Sequence, residues 1–159
     1  MDHDKRSDGI SKAEHKRICS TCGKEEITTY GEKLRPTIST NATSLKLKKK
    51  QTTKKFTVTG LAKGDYITSW TSSNKKIVTV TGNQNGICKI KAGSKTGKAT
   101  ITIKLASGLT KQIKVSVQKK AVTCSKIKNV PKTIKLKKKQ TYQLKPMIEP
   151  ITCTDKAKI

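Results

Sequence analysis

The chain has 159 residues, enough for one ordinary domain or two small ones; 32% are hydrophobic, 3% aromatic and 29% charged. Its 36 Lys and Arg against 10 Asp and Glu leave a net charge of +26, which favours polyanionic partners. Specific nucleic-acid recognition is nevertheless disfavoured, because only Arg6, Arg17 and Arg35 carry a guanidinium fork and few rings are present to stack on bases.

The first 36 residues are polar, hold both histidines and end at Pro36; they read as a leader or linker, residues 1–36. The start, MDHDKRSDGI, lacks the apolar centre of a secretion signal. No run anywhere approaches the ~20 apolar residues of a membrane span. Within the leader, HKRICSTCGK sets Cys19 and Cys22 in Cys-x-x-Cys-Gly spacing with His15 upstream. A tight turn of this kind aims two thiolates at one point, so His15, Cys19 and Cys22 are weak candidate metal ligands, with His3 a distant fourth. Structural zinc sites carry a second, equally well-spaced pair, which is missing here. A dithiol, a local disulfide and an inert spacer remnant therefore stand as alternatives, and no metal or cofactor is assigned.

From residue 37 the texture changes to short alternating runs broken by Gly, Asn, Ser and Lys, with no helical period among them. Residues 44–47 begin the series with Leu45 and Leu47 on one face. Residues 55–59 follow with Phe56 and Val58 inward, then 67–73 with the single tryptophan, Trp70. Residues 76–81 and 87–92 flank a Gly82–Gly86 turn. Residues 99–105 alternate Ala99, Ile101, Ile103 and Leu105 against Thr100, Thr102 and Lys104, and 112–117 place Ile113, Val115 and Val117 inward. Alternation of this kind means one face buried and one wet. About seven such strands in ~80 residues predict an all-β, antiparallel β-sandwich.

The heptapeptide KLKKKQT starts at Lys46 and again 89 residues later at Lys135, a spacing of about one sandwich. The flanking pattern repeats as well: Leu45 and Leu47 correspond to Ile134 and Leu136, and Phe56 and Val58 to Tyr142 and Leu144, the latter pair a few residues short of the 89-residue register, as a shorter intervening turn would give. Each copy reads as a strand end with leucines inward, a lysine turn, and the next strand. The second copy runs out at Ile159 before any counterpart of Trp70, and half a sandwich closes no core. Residues 120–159 are expected to be incomplete, either mobile or resting on a borrowed surface.

Taken in order, LKLKKKQT (45–52), WTSSNKKIVTV (70–80), GICKIKAG (86–93), GKATITIKL (97–105) and KQIKVSV (111–117) resemble the bacterial Ig-like domain, group 2. The resemblance covers 37–119 as a complete domain and 120–159 as the amino-terminal half of a second. It implies an immunoglobulin-like sandwich used in tandem as a spacer, display or adhesion module of bacterial surface proteins. The expected location is extracellular or at the cell surface, with any export signal upstream. Adjacent Ig-like repeats, anionic cell-wall polymers, glycans or host proteins are the expected partners. The resemblance brings no catalytic residue and no cofactor.

The remaining candidates are weighed on their own positions. Cys88 alternates with Ile90 and Ala92, where the resemblance would place a valine, and is expected in the core. Cys124 and Cys153 flank the half module and could pair if the chain is oxidised. Trp70 is expected as the core anchor, or as a sugar-stacking platform if exposed. No enzyme is expected. Asp65 is the only acidic residue between Glu32 and Glu149, both histidines lie in the leader, and no phosphate-binding glycine loop precedes a helix.

Overall fold

A computed structural model of the protein describes residues 3–154, His3 and Asp4 by their backbone alone. The side chain of His3 and the last five residues of the second copy, 155–159, thus lie outside the described residues. Among the described residues fourteen strands follow one another: β1 (His3–Lys5), β2 (Ala13–Ile18), β3 (Glu25–Tyr30), β4 (Ser39–Thr40), β5 (Ser44–Lys48), β6 (Thr52–Thr53), β7 (Val58–Thr59), β8 (Ile67–Ser72), β9 (Val78–Gly82), β10 (Cys88–Ala92), β11 (Gly97–Leu105), β12 (Thr110–Gln118), β13 (Lys126–Lys128) and β14 (Met147–Glu149). Among the described residues there is no helix, and hence none long and apolar enough to cross a membrane.

A four-stranded sheet in the order β5-β12-β11-β8 faces a three-stranded sheet in the order β6-β10-β9. The inward residues read from alternation, Leu45, Leu47, Phe56, Val58, Cys88, Ile90, Ala99, Ile101, Ile103, Leu105, Ile113, Val115 and Val117, are all buried in one contiguous core, which Ile67 and Val78 join. Burying each large aliphatic side chain contributes roughly 1.5–3 kcal/mol relative to exposure. Opposite faces of the same strands carry Lys and Thr, as at Lys46 and Lys48 on β5, Lys89 and Lys91 on β10, and Lys98 and Lys104 on β11. The expected all-β sandwich is therefore the observed one.

Three details differ from the expectation. The sheet is not wholly antiparallel: β5 runs parallel to β12, with Leu45 opposite Val115 and Leu47 opposite Val117. The strand expected at 55–59 shortens to β7 plus a single bridge between Thr57 and Ile87, while Phe56 remains buried. The strand expected at 76–81 begins at Val78, because the Asn74 carbonyl accepts from the Ile77 and Val78 amides and holds a turn there.

The leader is not a bare linker. Strands β1, β2 and β3 form an antiparallel meander, Glu25 pairing with Ile18 and Tyr30 with Ala13 across its main hairpin. It is attached to the sandwich at Gly9, whose amide donates to the Lys63 carbonyl at 2.8 Å. A side chain at Gly9 would meet the Cβ atoms of Ala62 and Asp65 at 3.0 Å, so the neighbours would have to give way to admit one. Alternation does not betray this sheet, since every residue of β3 is exposed and β2 buries only Ala13.

Candidate functional site

Asn83 organises one end of the sandwich. Its side-chain Oδ1 accepts the amides of Asn85 (3.1 Å) and Ile87 (2.9 Å), which bends the chain sharply enough to reverse direction between β9 and β10. Gly86 completes the turn at φ 87°, where an added Cβ would lie 2.3 Å from the Val58 carbonyl oxygen. The Asn83 carbonyl accepts the Trp70 indole N–H at 3.1 Å. Trp70 stands opposite Ile103 in the ladder and so points to the inner face. It sits on the edge strand β8 and is only partly buried, packed against the rim of the core rather than within it. Its ring occupies the space where a side chain at residue 82 would be, with Gly82's hypothetical Cβ 2.4 Å from Trp70 Cε2.

Residues 67–70 of β8, Val80 and Thr81 of β9 and the 82–85 turn line an open groove of about 540 Å³. No charged residue lines it, although the chain carries 36 Lys and Arg. An aromatic ring and two aliphatic side chains among hydroxyls and amides, free of charge, suit a neutral ligand with polar and apolar faces. The sequence singled out Trp70; the contribution of 81–85 is set by the β9–β10 turn folding back against β8.

Asp65 is buried, and both of its carboxylate oxygens are engaged. Its Oδ2 accepts the Ser107 hydroxyl at 2.6 Å, and its Oδ1 accepts the amides of Tyr66 and Ser107. The carboxylate thereby fastens the loop before β8 to the β11–β12 hairpin turn.

The Cys-x-x-Cys-Gly segment forms the tip of the β2–β3 hairpin. The Cys19 amide donates to the Lys24 carbonyl and the Gly23 amide to the Cys19 carbonyl, with Gly23 at φ 68°. Both cysteines are exposed thiols. Hydrogen bonding from the Cys22 thiol, then from the backbone amides of Cys22 and Thr21, holds the Cys19 thiol below its ordinary value. His15 lies back along β2, opposite Asp4 and Thr28. Among the described residues no three His, Cys, Asp or Glu side chains gather closely enough to hold one metal ion. Cys88 is buried and its thiol is pushed up to about 11 by desolvation.

The third place is the lysine turn. In the first KLKKKQT copy the Lys48 amide donates to Gln51 Oε1 (2.7 Å) and the Gln51 amide to the Lys48 carbonyl (3.0 Å), with Lys50 left-handed at φ 64°. In the second copy the Lys137 amide donates to Gln140 Oε1 (3.2 Å) and the Gln140 amide to the Lys137 carbonyl (3.0 Å), with Lys139 at φ 66°. The same turn is built twice.

The first turn has a further role that sequence reasoning missed. Gln51 Nε2 donates to the Thr152 carbonyl at 2.7 Å, and the Thr152 hydroxyl donates to the Lys46 carbonyl. Thr152 is buried. Close by, Thr154 and Val122 exchange hydrogen bonds, and Cys124 is disulfide-bonded to Cys153 across a Cα separation of 5.2 Å. Closing a loop of 29 residues in sequence separation stabilises by about 3–4 kcal/mol in the chain-entropy account. The segment around Thr152 thus rests on the edge of β5. A single threonine in a polar stretch, bonded to residues about a hundred positions away, gives no local signal.

A family model for the bacterial Ig-like domain (group 2) matches residues 36–115. No curated protein matches the chain. A crystal structure of the S-layer protein SbsC is 23% identical over 73% of this chain and 18% of its own, with a TM-score of 0.45. One of domains 4 and 5 of that S-layer protein is 24% identical over 66% of this chain and 63% of its own, with a TM-score of 0.44. This chain therefore spans less than a fifth of the length of the first of these structures. With the family model matched across the sandwich and its core, the chain belongs to the bacterial Ig-like domain (group 2) family.

Proposed function

We propose that this chain is a non-catalytic spacer and display segment of a bacterial protein exposed at the cell surface or exported. In this reading 37–119 is one Ig-like unit, 120–159 the beginning of a second, and 1–36 a separate small sheet ahead of them. The observation that carries it is the repeated turn together with its clamp: Gln51 and Lys46 of the first unit grip Thr152 of the second. A contact of this kind sets the angle between successive units, which a spacer requires. Lysines spread over both outer faces, rather than collected in one groove, suit solvation and loose attachment to anionic wall polymers. Protease shaving of intact cells should release fragments of the chain. Finding it only inside the cell defeats the proposal.

The neutral groove at Trp70 supports a second reading, a module that binds an uncharged glycan. A glycan array probed at physiological salt separates the two. Saturable binding lost in Trp70→Ala supports the second reading. Binding that vanishes with modest added salt reports only charge.

A further inference from the structure

The Cys-x-x-Cys-Gly tip of the β2–β3 hairpin has the form of half a tetrahedral metal site. Cys19 Sγ accepts the thiol of Cys22 and the backbone amides of Cys22 and Thr21. The Gly23 amide closes the turn on the Cys19 carbonyl at 2.8 Å, with Gly23 left-handed at φ 68°. Amides aimed at a sulfur support it as the thiolate ligand of a metal. Two sulfurs on one tetrahedral zinc stand about 3.8 Å apart, given Zn–S bonds of about 2.3 Å. A thiol–thiol hydrogen bond spans nearly the same distance, so the turn presents both sulfurs as a ready pair.

The rest of the hairpin does not supply the other half. His15 stands four residues before Cys19 along β2, about 13 Å away at the rise of a strand. Glu25 is engaged by Lys16 at 2.7 Å, and among the described residues no third His, Cys, Asp or Glu joins the pair. The tip is open: Cys19 and Cys22 are exposed, as is every residue of β3. With Arg17 and Lys24 the two cysteines line a recess of about 660 Å³. We propose that two copies of this chain join tip to tip on one zinc ion, each giving Cys19 and Cys22 as ligands. A four-cysteine tetrahedron divides into two equal halves about a two-fold axis, so identical tips complete it. Charge agrees with this occupant. Each tip carries Lys16, Arg17 and Lys24 against Glu25 and Glu26, one net positive charge. Two tips therefore offset the two net negative charges of zinc held by four thiolates. On binding, the four thiol protons pass to solvent.

For the test, the full chain is purified without oxygen and its free thiols are mapped by alkylation. Zinc should bind at one ion per two chains and double the mass seen in sedimentation, and a chelator should reverse both. Cobalt(II) in place of zinc should give the intense visible bands of a tetrahedral four-sulfur site. Cys19→Ser and Cys22→Ser should each abolish the mass change and those bands. Cys88→Val should keep both, because Cys88 is buried in the core. Cys19 and Cys22 are exposed, so Trp70 emission should be the same in both serine variants, which separates loss of zinc from loss of fold. The proposal is overturned by a chain with free thiols that takes up no zinc, by one zinc per chain without a change in mass, and by a Cys19–Cys22 disulfide in the chain as purified. A dimer that survives the chelator or both serine substitutions also overturns it, as does one that only a reductant dissolves. None of these readouts depends on where the chain resides, so failure of the zinc junction and failure of the surface-spacer reading are told apart.

Discussion

Gly82 and Trp70 illustrate how a residue without a side chain decides the position of the largest one. The ring lies across Gly82, with the indole N–H fixed on the Asn83 carbonyl. Gly82→Ala would put a methyl carbon 2.4 Å from Cε2, so the indole must leave the rim of the core. Overpacking of this kind costs about 1–3 kcal/mol. Urea denaturation should show that loss, and emission from the only tryptophan should shift to the red; unchanged emission would mean that the ring tolerates the methyl group. Cys88 supplies a pH effect of definite sign. Its thiol titrates near 11 when folded, against an ordinary value of 9.0 when unfolded. Between those values the unfolded chain binds fewer protons than the folded one, so stability falls as pH rises. Cys88→Val keeps the core apolar and removes that titration. Its stability should decline less steeply than the parent's from pH 9 to 11, with the lysine titration common to both. Cys88's burial was readable from its alternation with Ile90 and Ala92. The partly open setting of Trp70 was not, since it depends on β8 being an edge strand.

At the scale of elements the informative comparison is between the two glutamines of the lysine turns. Gln51 closes its own turn through Oε1 and holds Thr152 through Nε2, whereas Gln140 closes only its turn. Gln51→Ala strands a buried contact as well as a turn amide and should cost about 1–3 kcal/mol. Gln140→Ala, at an exposed turn, should fall within about 0.5 kcal/mol of the parent. Chemical denaturation of the two variants checks the difference, and equal losses would mean that the Thr152 clamp contributes nothing. The N-terminal meander is a second lesson at this scale. Its strands are held by hairpin hydrogen bonds with little burial, so the period-2 signal of the sandwich strands is absent there.

Across the whole molecule the charge sets the response to solvent. The ion pairs Lys16–Glu25 and Lys128–Glu149 lie outside the sandwich, and the only carboxylate within 37–119, Asp65, is engaged with Ser107. A net charge of +26 therefore acts mainly through self-repulsion, which salt screens. Raising sodium chloride from low to physiological concentration should raise Tm by a few degrees, equivalent to about 1 kcal/mol. A fall in Tm would show that attractive pairs dominate.

KLKKKQT separates what local sequence determines from what tertiary structure decides. The heptapeptide by itself specifies the turn: Gln51 and Gln140 each fold back onto the lysine three residues earlier, and Lys50 and Lys139 take the same left-handed geometry. These interactions span four residues and need no partner. Alternation likewise marked the inward side of β5, β10, β11 and β12, because side chains must point to opposite faces of a pleated backbone. Whether a marked face is buried was decided elsewhere in the chain. Leu47 is covered because β12 lies parallel to β5 and brings Val117 beside it, while Leu136, in the same heptapeptide, pairs with no strand among the described residues and is half exposed. A turn is closed by bonds within itself, but a strand exists only when another strand takes up its backbone hydrogen bonds and covers its apolar side.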